Sequence, residues 1–76
     1  MTLKWTFDAD TNTWVAGTRR NGCGVYQEAG SWRLNLVVQG DIRLLGDFPY
    51  ATKEEAQWAA KQAWDKAWTE LMGQAQ

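Results

Sequence analysis

Few side chains in this 76-residue chain are equipped for covalent or acid–base chemistry. Histidine, the commonest general base and transition-metal ligand, is absent. Cys23 is the single cysteine, so it has no disulfide partner and no imidazole to activate it. It reads as a small strand residue rather than a nucleophile or ligand. Asp8 and Asp10 stand two apart in Asp8-Ala9-Asp10-Thr11-Asn12. A Ca²⁺ ion needs about six to eight oxygens, and this loop offers few, so the two acids read as turn formers. Glu54 and Glu55 are adjacent and point in different directions on a helix, which suits a cap and not a catalytic pair. Gly22-Cys23-Gly24 is too short for a phosphate cradle and lies between strands. These readings predict a chain that is not an enzyme and uses no metal and no cofactor.

What remains is recognition chemistry. Arg19, Arg20, Arg33 and Arg43, with Asn35 and Gln39, could contact phosphate or an acidic partner. Trp58 is the other candidate, because tryptophan is the residue most enriched at energetic hot spots.

The elements that must carry these residues are well punctuated. Leu3 to Phe7 alternates apolar and polar, the period of a half-buried strand. A turn at 8–12 leads to a second strand over 13–18. Asn21-Gly22 predicts a tight hairpin of the kind with two positive φ angles, and Cys23 to Glu28 returns as a third strand with Gly24 as a candidate bulge. After Ala29-Gly30-Ser31, Trp32 to Val38 is the clearest strand. Trp32, Leu34, Leu36 and Val38 share one face; Arg33, Asn35, Val37 and Gln39 share the other. Gly40-Asp41 turns into a short fifth strand, Ile42 to Leu45, of ambiguous facing. Pro49 keeps Phe48 out of the helical region.

A capping box, Thr52-Lys53-Glu54-Glu55, opens a helix over about 52–72, with Gly73 as its stop. At 100° per residue, Ala56, Ala59, Ala60, Ala63, Trp64, Ala67 and Leu71 fall on one side. Trp68 is at the border, and Trp58 lies opposite, among charges. The alanine stripe predicts a helix lying close on the sheet face that carries Trp5, Trp32, Leu34 and Leu36. The expected fold is α+β: an antiparallel meander of about five short strands within 3–46, with one C-terminal helix packed on one face, as a single domain over 1–76.

Composition fits that plan. A chain this short buries only roughly 60% of its unfolded surface. The six tryptophans, each able to bury about 150–250 Å², read mainly as core. Net charge is −1, divided into +1 over 1–46 and −2 over 47–76, which gives no broad positive field for nucleic acid. The start, Met1-Thr2-Leu3-Lys4-Trp5, has no apolar stretch of the secretory kind, and no run approaches the ~20 residues of a membrane span. With a lone cysteine, the expected address is the cytoplasm.

Residues 24–67 carry a spaced pattern: Gly24-Val25, Gln27, Gly30, Trp32, Gly40, Arg43, Leu45-Gly46, Phe48, Ala51-Thr52, Glu54-Glu55-Ala56 and Ala60. It resembles the three-strand-plus-helix DNA-binding domain of the plant ethylene-response-factor type. It is similar also to the arm-binding domain of phage tyrosine integrases. The closing stretch, Leu45-Gly46-Asp47-Phe48 followed by Thr52-Lys53-Glu54-Glu55-Ala56, looks like that of small phage and prophage proteins in which an extra hairpin precedes the same unit. The matching residues are turn glycines, the corner, the cap and the alanine face, so the resemblance implies architecture first. Where the plant domain reads DNA with arginines on its first two strands, this chain has Cys23, Tyr26 and Glu28.

Two functions follow. The first is a non-catalytic, phage-type binding protein that engages a host or phage protein and inhibits or modulates it, for example a defence or regulatory complex. Trp58 is then the contact for the target or for a second copy. The second is a sheet-face DNA-binding domain using Arg19, Arg20, Arg33 and Arg43.

Overall fold

A computed structural model describes residues 3–46 and 48–74. Met1, Thr2, Asp47, Ala75 and Gln76, which include the start of the N-terminal stretch and the aspartate of the corner, lie outside the described residues. Five strands form one antiparallel sheet in chain order: β1 (Trp5–Asp8), β2 (Thr13–Gly17), β3 (Gly22–Glu28), β4 (Ser31–Val38) and β5 (Asp41–Leu45). A single helix, α1 (Lys53–Gln74), follows. The α+β meander with one helix on one sheet face is therefore the fold.

Register divides the sheet residues cleanly. One face carries the rows Trp5–Ala16–Cys23–Leu36–Leu44 and Phe7–Trp14–Val25–Leu34. The other carries Thr6–Val15–Gly24–Asn35–Leu45 and Asp8–Thr13–Tyr26–Arg33. The first face is covered by α1, which lies over β3 and β4. Val25, Leu34, Leu36 and Val38 are buried beneath Ala56, Ala60, Trp64 and Ala67. Each buried Val or Leu contributes about 1.5–3 kcal/mol, so these positions dominate the core.

The alanines set how close the helix comes, and the tryptophans fill what is left on one flank. Trp5, Trp14 and Trp68 pack against the buried cluster that includes Trp64, whose ring meets that of Trp68 edge-on at 5.6 Å. Lys53 sits over the ring of Trp14, 4.3 Å from its centroid. The indole N–H groups of Trp64 and Trp68 are sealed in with no acceptor among the described residues. Five of the six tryptophans thus serve the core or its margin, and Trp58 does not.

Several local expectations change. Asn21-Gly22 is not a two-residue hairpin turn: the positive φ belongs to Gly17, and Thr18 N–H donates to Asn21 O at 2.9 Å across a longer loop. The Asn21 side chain is used elsewhere, accepting from Gln39 N–H at 2.7 Å. The tight hairpins with two positive φ angles fall at Ala29-Gly30 and Gln39-Gly40. Gly24 pairs regularly, and the irregularity lies between β4 and β5 opposite Leu36 and Val37, which leaves Arg43 as the extra residue. At the cap, Glu55 N–H donates to Thr52 Oγ1 at 3.1 Å, while the Glu55 carboxylate reaches Ala51 N–H at 3.3 Å instead of Thr52. The helix continues through Gly73 to Gln74.

Ala60 is 0% exposed over the sheet, whereas Ala63 is only half-buried on the β5 side. Ala60→Leu should cost about 1–3 kcal/mol by overpacking, and Ala63→Leu clearly less. Urea melts of the two variants check this; equal stability of Ala60→Leu and the parent would contradict the helix position.

Candidate functional site

The flank of α1 that faces β5 is built differently from the tryptophan-filled one. After β5 the chain turns at Gly46, where φ is +65° and an added Cβ would run into Tyr26 Oη. Past Pro49, an extended backbone brings Tyr50 back beside the start of β4. Trp32 N–H donates to Tyr50 O at 2.8 Å and Tyr50 N–H donates to Trp32 O at 2.7 Å, a two-bond clamp that fixes Tyr50 at the sheet margin. Phe48 leans on it with ring centroids 5.1 Å apart. The helix begins three residues later and presents Trp58 on the side away from the core.

Between Tyr50 and Trp58 lies an open cleft of about 430 Å³, lined also by Glu54, Glu55 and Ala59. Trp58 is 66% exposed and Phe48 65%. Two-thirds of an aromatic surface of about 150–250 Å² leaves on the order of 100–160 Å² of each ring in water. A small notch among Leu34, Leu44, Phe48 and Tyr50 adjoins the cleft through Tyr50. A further trough of about 280 Å³ continues from Leu44 along Ala63, Ala67 and Glu70. Ile42 and Leu45, also exposed, pair with Val37 and Asn35 and so belong to the open sheet face, while Leu44 and Phe48 carry the apolar surface of this flank.

The arginines do not gather in the same way. Arg33 is on the open sheet face, but its Nη1 donates to Gly46 O at 2.7 Å and its Nε stands 3.8 Å from a Glu28 carboxylate oxygen. Arg43, displaced by the bulge, turns to the helix side, 4.0 Å from Glu70. Arg33 and Arg43 therefore lie on opposite faces. Arg19 is exposed in the β2–β3 loop, and Arg20 lies against the β4–β5 turn, where its carbonyl accepts from Gly40 N–H at 2.9 Å. That end of the sheet is four residues along the β3–β4 ladder from Arg33, roughly 13 Å. Asn35 is partly covered, with Oδ1 sealed near Gly46 and unpaired among the described residues, and Gln39 is exposed in the turn.

The other polar candidates hold structural places. Asp8 accepts from Asp10 N–H at 3.0 Å within its own turn. Cys23 is buried on the helix-facing side, and burial pushes its thiol up to about 12. Among the described residues, no three His, Cys, Asp or Glu side chains stand together as a metal site, and no helix is long and apolar enough to cross a membrane.

Sequence reasoning picked out Trp58 but missed Tyr50 as the opposing wall. The available signal was Pro49, which holds the chain extended just before an aromatic residue and a helix cap. Comparison with family models, with curated proteins and with solved structures finds no match to this chain.

Arg33→Glu should cost about 1.5–3 kcal/mol, the usual worth of a charge-assisted bond, while Arg19→Glu should be nearly neutral. Thermal melts at one salt concentration decide it; equal melts would free Arg33 from its tether. For Cys23, the unfolded thiol ionises near its ordinary 9.0 and the native thiol only near about 12. Between those values the native state binds more protons, so stability falls as pH rises, by up to about 1.4 kcal/mol per pH unit. Cys23→Ala should remove that part of the alkaline loss, as read by urea melts at about pH 8 and about pH 10. An identical pH slope in the parent and the variant would contradict the burial of this thiol.

Proposed function

We propose that this chain is a non-catalytic binding protein that docks a partner protein on the cleft between Tyr50 and Trp58. The observation that carries the reading is Trp58, a large apolar side chain left in water beside a clamped aromatic wall, while the other tryptophans line the core. Anchors of this kind supply most of the energy of protein interfaces. The rim of the cleft is acidic, with Glu54 and Glu55, which repels a phosphate backbone. The arginines proposed for DNA are split between two faces and tied to Gly46 and Glu70. Protein recognition is thus better supported than sheet-face reading of DNA.

The finer reading is a small phage-type protein whose target is a host complex, for example a defence or regulatory system, which it inhibits or modulates in the host cytoplasm. Its support is the spaced pattern over residues 24–67. A second copy meeting at Trp58 is the other occupant that this surface would admit.

Trp58→Ala should leave the melting temperature nearly unchanged, as for other exposed positions. The tagged parent and variant are compared for capture from bacterial lysate with and without nuclease, with sedimentation of each at several concentrations. Proteins retained by the parent and lost by Trp58→Ala, or a dimer that dissociates in the variant, support the reading. Capture that ignores the substitution, or that disappears with nuclease, overturns it.

A further inference from the structure

Resting on that reading, we infer that the Tyr50–Trp58 cleft seats a cationic side chain of the partner protein, an arginine foremost. Two chemistries meet in it. Tyr50 and Trp58 supply aromatic walls in a lining that is nearly all apolar, and the carboxylates of Glu54 and Glu55 stand at its rim. Aromatic faces attract cations through the negative potential of the ring, and the planar guanidinium adds stacking and a paired fit to carboxylate. Among the described residues, no basic side chain lines the cleft.

The flanking bases are engaged elsewhere. Lys53 is drawn over Trp14, toward the opposite flank of the helix, and Lys61 is paired with Asp65 at 3.1 Å. The Lys53–Trp14 pair shows the same chemistry already at work inside the molecule. Lys53 Nζ also stands 3.9 Å from Glu54, but that contact is long and the Glu54 side chain is highly exposed, so it offers little resistance to an incoming cation. Glu55 spends one oxygen on Ala51 N–H at 3.3 Å and keeps the other.

Two alternatives are weaker on the same ground. An apolar plug would cover the aromatic walls but leave the acidic rim unused. The helix N-terminus opposes a cation with roughly half a positive charge, and the acidic side chains of Glu54 and Glu55 in the first turn counter it. A cation satisfies both walls and rim.

The test uses the full chain, isotopically labelled, with an acetylated arginine–glycine repeat peptide and its citrulline–glycine twin, which keeps the shape and lacks the charge. The arginine peptide should shift the Trp58 indole and Tyr50 resonances. The twin should bind about tenfold more weakly or worse. Glu54→Gln with Glu55→Gln should weaken the arginine peptide by a similar factor, and glutamine at position 55 keeps the cap. Raising the salt should weaken binding as well. Equal binding of the twin, or no shift at Trp58 with either peptide, overturns the inference. If lysate partners still depend on Trp58 in that case, the cleft docks an uncharged segment and the proposed function stands. If the arginine peptide binds but lysate capture ignores Trp58, the cation chemistry stands and the proposed function falls.

Discussion

Small side chains at Ala56, Ala60 and Ala67 allow α1 to settle directly onto β3 and β4, and most other features are consequences of that approach. A helix held over the middle of a five-stranded sheet leaves a wedge on each side. Close-packed interiors do not tolerate an empty wedge, so the β1–β2 side is filled by Trp5, Trp14, Trp64 and Trp68. The β5 side receives small or charged residues from the helix, with Trp58 standing out into water rather than into the wedge, and it stays open. The asymmetry of function, as proposed, is the asymmetry of that filling.

The open side is nevertheless ordered by specific bonds. Gly46 allows the turn out of β5, Arg33 anchors its carbonyl, and the backbone pair between Trp32 and Tyr50 returns the chain to the sheet. Thr52 then starts the helix, and the spacing from cap to Trp58 decides which wall faces Tyr50. An arginine and a cap that look like surface decoration in isolation thus position an aromatic surface several residues away.

Much of this was legible from residue order, for physical reasons. Alternation from Trp32 to Val38 is strict because one face is buried, and a helix phased on alanines has one solution that buries them. That phase also placed Trp58 in water. The hairpins were harder. Asn21-Gly22 carries the strongest local turn signal, yet the Asn21 side chain serves Gln39 across the sheet, and the tight turns form at Ala29-Gly30 and Gln39-Gly40. Turn propensity competes with long-range hydrogen bonds that local sequence does not reveal. Likewise, the bulge that carries Arg43 to the helix side and the tether of Arg33 to Gly46 depend on register between strands, so four arginines that look like one set in sequence do not form one surface. Tyr50 escaped notice because its role depends on a bridge to Trp32, eighteen residues earlier.

The central claim, that helix phase leaves Trp58 in water while Trp64 closes the opposite flank, is open to direct measurement. Brief hydroxyl-radical labelling of the native chain, read by mass spectrometry at each tryptophan, reports solvent access side chain by side chain. The account predicts that Trp58 is labelled fastest and Trp64, at 3% exposure, slowest, with the others between. Equal labelling of Trp58 and Trp64, or protection of Trp58 in the free monomer, would contradict it.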